Sequence, residues 1–148
     1  MKIEEYLASL PESILSGQDV QLSNETFREI FNFANLSKND VFYHLGCGDG
    51  RGLIIAKEEF NVKKVIGIDN SKTKIDSANK MLKVKNYSNV ELICENIINS
   101  NFDDADIILF WFVDENILET MIPKFSKLKK GTRIITIWGP LPECLPQK

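Results

Sequence analysis

Val41-Phe-Tyr-His-Leu-Gly-Cys-Gly-Asp-Gly-Arg51 begins as an apolar run of strand formers and breaks into three glycines spaced two apart, Gly46, Gly48 and Gly50. A helix-compatible run follows, Leu53-Ile-Ile-Ala-Lys-Glu-Glu-Phe60. Strand, glycine turn and helix in that order open a nucleotide-binding α/β unit. Glycine tolerates positive φ, so the chain can turn sharply, and without a Cβ it lets a ligand lie against the backbone. The dinucleotide fingerprint G-x-G-x-x-G is not met: the third glycine comes one residue early, and Arg51 stands where that fingerprint needs glycine. The Walker phosphate loop is excluded as well, since no Gly-Lys-Ser/Thr follows.

On the C-terminal side of the turn, Lys64-Val-Ile-Gly-Ile-Asp69 is a short apolar strand ending in an acid. Asp69 comes about 20 residues after the glycines, the distance at which a βαβ unit returns to the same sheet edge. A carboxylate there can accept from both hydroxyls of a ribose. It can also help cap the next helix alongside Asn70 and Ser71, and the two jobs are compatible. Val90-Glu-Leu-Ile-Cys94 reads as a third strand, followed by Glu95, Asn96 and Ile97.

The rest of the chain alternates in the same way. Ser23 opens a helix from Asn24 to Asn35, with Phe27, Ile30, Phe31 and Ala34 at helical spacing and expected in the core. The first strand is expected over Asp40 to Leu45, with its helix ending at Phe60. The second strand is expected over Lys63 to Ile68. A helix then runs from Ser71 to Lys85, with Ile75, Ala78 and Leu82 on one face. Ile97 to Asp104 reads as a loop or a short helix. Ala105-Asp-Ile-Ile-Leu-Phe-Trp-Phe-Val113 is a continuous apolar strand, as for one buried on both faces of a parallel sheet. Asp114 is expected to cap a helix from Glu115 to Lys127, and Thr132 to Trp138 forms a fifth strand. Strands alternating with helices give an α/β fold with a parallel sheet and helices on both faces. Its ligand crevice lies at the carboxyl ends of the first two strands.

At 148 residues the chain reads as one domain, 23–148, behind a lead-in segment 1–22 broken by Pro11 and Gly17. No apolar run reaches the ~18 residues of a transmembrane helix, and the N-terminus has no secretory pattern. The 3 cysteines are scattered, which argues against a disulfide framework or a zinc cluster and fits a reducing cytoplasm. Cys47 reads as packing within the turn. The net charge of −3 lacks the basic footprint of a nonspecific nucleic-acid binder. Lys72, Lys74, Lys80, Lys83 and Lys85, and then Lys124, Lys127, Lys129 and Lys130, are spaced as solvated helix faces.

Leu45-Gly-Cys-Gly-Asp-Gly50, Asp69 and the Asn96 position together resemble the class I S-adenosylmethionine (SAM) methyltransferases. The resemblance implies a Rossmann-like sheet and SAM as cofactor. Its binding residues would be Gly46, Cys47, Gly48, Asp49, Gly50 and Arg51 at the methionine end, Asp69 and Asn70 at the ribose, Asn96 and Ile97 at the adenine, and Trp111. The acceptor is implied near the end of the fourth strand, where Phe112, Asp114 and Glu115 would line or charge its entrance. No catalytic residue and no metal ligand is assigned. The Asn/Asp-Pro-Pro-aromatic motif of base-amino methylating enzymes is absent from Phe110-Trp-Phe-Val-Asp-Glu115.

From about Leu22 to Ile137 the chain is similar to the small archaeal protein-lysine methyltransferases. It shares the short length, Gly46-Cys-Gly-Asp-Gly-Arg51, Asn96, Pro123-Lys124 and Lys130-Gly-Thr-Arg-Ile134. That implies methyl transfer to lysines of protein partners. A methyltransferase acting on RNA or a small molecule, and a non-catalytic SAM-fold binding or regulatory subunit, stand as alternatives. Two departures are notable. His44, the chain's 1 histidine, takes the place of an acid on the first strand. The last two strands of the fold are expected to be missing, because Pro140, Pro142 and Pro146 crowd the end. An open fifth strand of that kind would be covered by a homodimer or by the N-terminal segment.

Overall fold

The computed structural model describes residues 22–110 and 115–136, with the side chain of residue 115 left aside. Ser23 accepts a hydrogen bond from Thr26 N–H and starts α1 (Asn24–Phe33). A cap of this kind contributes about 1 kcal/mol. The elements that follow are β1 (Val41–Leu45), α2 (Arg51–Phe60), β2 (Lys64–Asp69), α3 (Lys72–Lys85), β3 (Val90–Cys94), a 3-10 turn (Ile97–Asn99), β4 (Ile107–Phe110), α4 (Glu115–Ser126) and β5 (Arg133–Thr136). The expected elements all appear, shifted by a residue or two at most of their ends. The stretches 111–113 and 137–138, expected to extend β4 and β5, lie outside the described residues. So do the lead-in segment before Leu22 and the chain end on which the missing-strand and dimer expectations rest.

The chain leaves its helices through asparagine. Asn35, Asn61 and Asn86 follow α1, α2 and α3 at φ of 55°, 51° and 56°. Asparagine is among the few side chains that tolerate this left-handed region, so it ends a helix where glycine would otherwise be used.

The five strands are parallel and ordered β3-β2-β1-β4-β5. In register, Leu45 lies beside Ile68 and Phe110, and Asp69 beside Cys94, so the strands finish along one edge. Alternate residues feed two cores. Phe42, Ile107, Leu109 and Ile135 face α1 and α2, where Phe27, Phe31, Leu53 and Ala56 are buried. Tyr43, Leu45, Ile66, Ile68, Ile108 and Phe110 face Phe102 and the α4 residues Met121 and Phe125. Helices therefore cover both faces, and the α1 phenylalanines Phe27 and Phe31 are core residues as expected.

The opposite, amino-terminal edge is held by charge. Arg133 binds the Asp40 carboxylate and also donates to the Ala34 carbonyl at 2.6 Å. Asp106 accepts from Val41 N–H at 2.8 Å and pairs with Lys129 at 2.8 Å. These contacts fix the starts of β1, β4 and β5 relative to one another. Lys129 is exposed, as expected, and carries this ion pair as well.

Candidate functional site

The glycine turn is hooked over the end of β2. Gly46 N–H and Cys47 N–H both donate to the Ile68 carbonyl, at 2.7 and 3.1 Å, and Gly50 N–H closes the turn on Cys47 O. Gly46, Gly48 and Gly50 sit at φ of 83°, 58° and 86°, a path that L side chains resist. Asp69 then ties the turn from the far side: one carboxylate oxygen accepts from Gly48 N–H at 2.9 Å, and the other from Ser71 N–H at 2.9 Å. Ser71 itself caps α3 by accepting from Lys74 N–H. Each carboxylate oxygen keeps a second lone pair, so Asp69 retains capacity for a ligand's hydroxyl groups.

Asp49 supplies what glycine at the start of α2 lacks. Its carboxylate accepts from Arg51 N–H at 3.1 Å. The Arg51 guanidinium pairs with Asp49 at 3.7 Å and donates to the Leu22 carbonyl at 3.2 Å, which fastens the fully buried Leu22 to the turn. Arg51, expected among the ligand contacts, also serves the turn and the entry to α1 while its side chain stays partly exposed. Cys47 lies buried beneath the turn, and burial, with the Asp69 charge adding to it, pushes its thiol up to about 12. It is a protonated packing residue at neutral pH, not a nucleophile.

The loop after β3 forms the next wall. Glu95 N–H donates to the Asp69 carbonyl at 3.1 Å, which sets Asn96 and Ile97 beside the same edge. Asn96 is exposed, and its side-chain oxygen accepts from Ile98 N–H at 3.0 Å, making it the cap of the 3-10 turn. Asn70 is exposed next to Asp69. The turn residues 46–51, Asp69, Asn70, Asn96 and Ile97 are thus gathered along one edge. Trp111, Phe112 and Asp114 lie outside the described residues, as does the side chain of Glu115.

Three features of this edge were not anticipated. Gly67 in β2 leaves room for the turn: a Cβ there would lie 2.6 Å from Leu53 Cδ1 and 2.8 Å from Cys47 Sγ. The available signal was a glycine inside an apolar strand, which marks a close approach. Gly52 does the same for α1, with a Cβ falling 2.8 Å from the Phe27 ring. Lys124 is the third. Instead of facing solvent, its ammonium donates to the carbonyls of Ile98 at 2.9 Å and Ser100 at 2.7 Å, and lies 5.3 Å from the centre of the Phe102 ring.

His44 is buried between Phe27 and Phe42, and neither ring nitrogen has a hydrogen-bond partner among the described residues. Burial depresses its pKa to about 4, against a smaller upward pull from Asp69. The ring is neutral at pH 7. In the unfolded chain it titrates near ~6.5. The folded protein therefore binds fewer protons between these values. His44's contribution is full above about 6.5 and is lost as the pH falls toward 4, an effect of about 3 kcal/mol. Urea unfolding from pH 7.5 to 4.5 should show the wild type losing stability relative to His44→Leu across that window. Parallel curves for the two proteins would contradict it.

Sequence comparison places the chain in a family. Residues 36–135 match the methyltransferase domain model, and the chain belongs to that family. A protein-lysine N-methyltransferase from Saccharolobus islandicus strain REY15A is 32% identical over 122 residues, covering 79% of this chain and 73% of the relative. An RNA methyltransferase from Salinibacter ruber, crystallised with S-adenosyl-L-homocysteine, superposes with a TM-score of 0.74 at 20% identity, covering 87% of this chain and 98% of that one. A precorrin 8w decarboxylase from Methanobacterium thermoautotrophicum gives a TM-score of 0.67 at 26% identity, over 79% and 63% of the two chains. The fold is the Rossmann-like sheet of these enzymes, and the chain is a methyltransferase. Among the described residues no helix is long and apolar enough to cross a membrane.

Proposed function

We propose that this methyltransferase uses S-adenosylmethionine to methylate lysine side chains of protein partners. The observation that carries the reading is the glycine turn locked to Asp69 through Gly48 N–H, at the carboxyl edge of β1 and β2. That turn offers backbone free of side chains beside a carboxylate with spare lone pairs, which suits an amino acid joined to a ribose. Gly46, Cys47, Gly48, Asp49, Gly50 and Arg51 would shape the methionine end of the site. Asp69 and Asn70 would meet the ribose, with Asn96, Ile97 and Trp111 around the adenine. Phe112, Asp114 and Glu115 would receive the lysine.

When bound, S-adenosylmethionine supplies a sulfonium-borne methyl group open to in-line displacement by a neutral amine. The residues of the chain act by positioning and by excluding water, since the leaving group needs no protonation. Neutral His44 adds no positive charge behind the turn at pH 7. The lysine reading is further supported by the relative of that name at 32% identity.

The test is transfer from labelled S-adenosylmethionine to heat-denatured extract protein. Label that resists RNase, is released by protease and runs as methyllysine after acid hydrolysis is the expected result. Label removed by RNase would replace lysine with RNA as the acceptor.

A further inference from the structure

A chain of hydrogen bonds runs from the glycine turn to the far end of α4. Gly48 N–H donates to the Asp69 carboxylate, and the Asp69 carbonyl accepts from Glu95 N–H. The Glu95 carboxylate accepts from Ser100 Oγ at 2.8 Å, and the Ser100 carbonyl accepts from Lys124 Nζ at 2.7 Å. Ser100 is 2% exposed, and Glu95 and Lys124 on either side of it are half-buried. Lys124 is its terminal member and comes from outside the loop that it holds.

We infer that Lys124 is a positioning residue for the cofactor, acting through the loop 95–100; the inference rests on the site proposed above. The loop is too short to pack a core of its own, and its 3-10 turn spans only Ile97–Asn99. Within it, Asn96 holds Ile98 N–H and Ser100 holds Glu95. Those bonds shape the loop but do not attach it to the domain. Attachment comes from Ile97 and Ile98, which pack against the core around Phe102 and Phe125, from Glu95 N–H at one end, and from the Lys124 ammonium at the other, which gathers two carbonyls and lies against Phe102. A cation bonded to carbonyls makes a charge-assisted hydrogen bond, roughly twice as strong as a neutral one. Without it the loop keeps its apolar contacts and a single polar tether, the wall beside Asn96 and Ile97 loosens, and ligand binding must order it again at an entropic cost.

The experiment compares wild type, Lys124→Met and Lys124→Arg by calorimetric titration with S-adenosylhomocysteine, and by steady-state transfer to denatured protein. Methionine keeps much of the apolar stem and removes the donors. The expected result is an affinity loss of about 10-fold in Lys124→Met, with arginine recovering most of it. In turnover, KM for S-adenosylmethionine rises by a similar factor while kcat at saturation stays within about twofold. Lys124→Gln, which keeps an uncharged NH2 donor group, substitutes should Lys124→Met not fold, with an expected loss of about threefold. A variant that loses thermal stability but keeps its affinity and KM overturns the inference, as does equal binding by wild type and Lys124→Met. A wild type that does not bind S-adenosylhomocysteine overturns the proposed site itself, which is a separate outcome.

Discussion

Asp69→Ala is expected to weaken S-adenosylhomocysteine binding by about 100-fold or more, roughly 3 kcal/mol. Two losses combine. The substitution removes the carboxylate proposed to meet the ribose, and it strips the acceptor from Gly48 N–H and Ser71 N–H, both held at 2.9 Å. An unpaired buried donor costs about 1–3 kcal/mol, so the turn relaxes as well. Asp69→Asn separates these contributions. The amide keeps one oxygen but must turn an NH2 toward one of the two N–H donors, so an intermediate loss of about 10-fold is expected. Calorimetric titration, paired with thermal unfolding of the ligand-free proteins, measures both effects. A dissociation constant for Asp69→Ala within threefold of wild type would remove Asp69 from the site.

Gly67→Val should prevent stable folding, and Gly67→Ala should cost about 2–3 kcal/mol. A single methyl would already sit 2.6 Å from Leu53 Cδ1, 2.8 Å from Cys47 Sγ and 3.1 Å from Cys47 Cβ. The Leu53 methyl can swing aside, but Cys47 is held by its own N–H on Ile68, so relief must come from moving the turn. Gly67→Ala should therefore lose ligand affinity along with stability. Shortening Leu53 offers partial relief. In a double-mutant cycle, Leu53→Ala and Gly67→Ala together should cost at least about 1 kcal/mol less than the sum of the two, as read from denaturant midpoints. Strict additivity would show that the contact is not the source of the loss.

The strands, the turn and the edge along which it lies could be read from the sequence because their signals are local. The apolar runs around Tyr43, Ile66 and Ile108 are strands at any reasonable window, and three glycines after one of them fix where the chain reverses. Asp69 was legible for the same reason: the length of a βαβ unit brings it back to the turn. What escaped depends on partners far away in sequence. Lys124 belongs to a series of lysines that looks solvated until α4 is laid beside the loop holding Ile98 and Ser100. The hydrogen bond from Arg51 to the Leu22 carbonyl, 29 residues away, could not be read from either stretch. Asn96 stood where a ligand contact was expected, and its oxygen is also the nearest acceptor for Ile98 N–H. His44 was visible as an oddity, but its burial between two phenylalanines follows only from packing.

The strand order has a consequence for how the protein is born. β1 is the middle of the sheet, and its two neighbours are β2, which follows one helix later, and β4, which begins only at Ile107. As the chain leaves the ribosome, the segment through β3 can assemble first, because its contacts are between consecutive units. Until Ile107 and its neighbours emerge, β1 presents an unpaired edge that β4 covers in the completed sheet. Parallel pairings between distant segments form slowly, so this interval is when the nascent protein is most exposed to aggregation. Lys124 arrives later still, and with it the last tether of the loop beside Asp69.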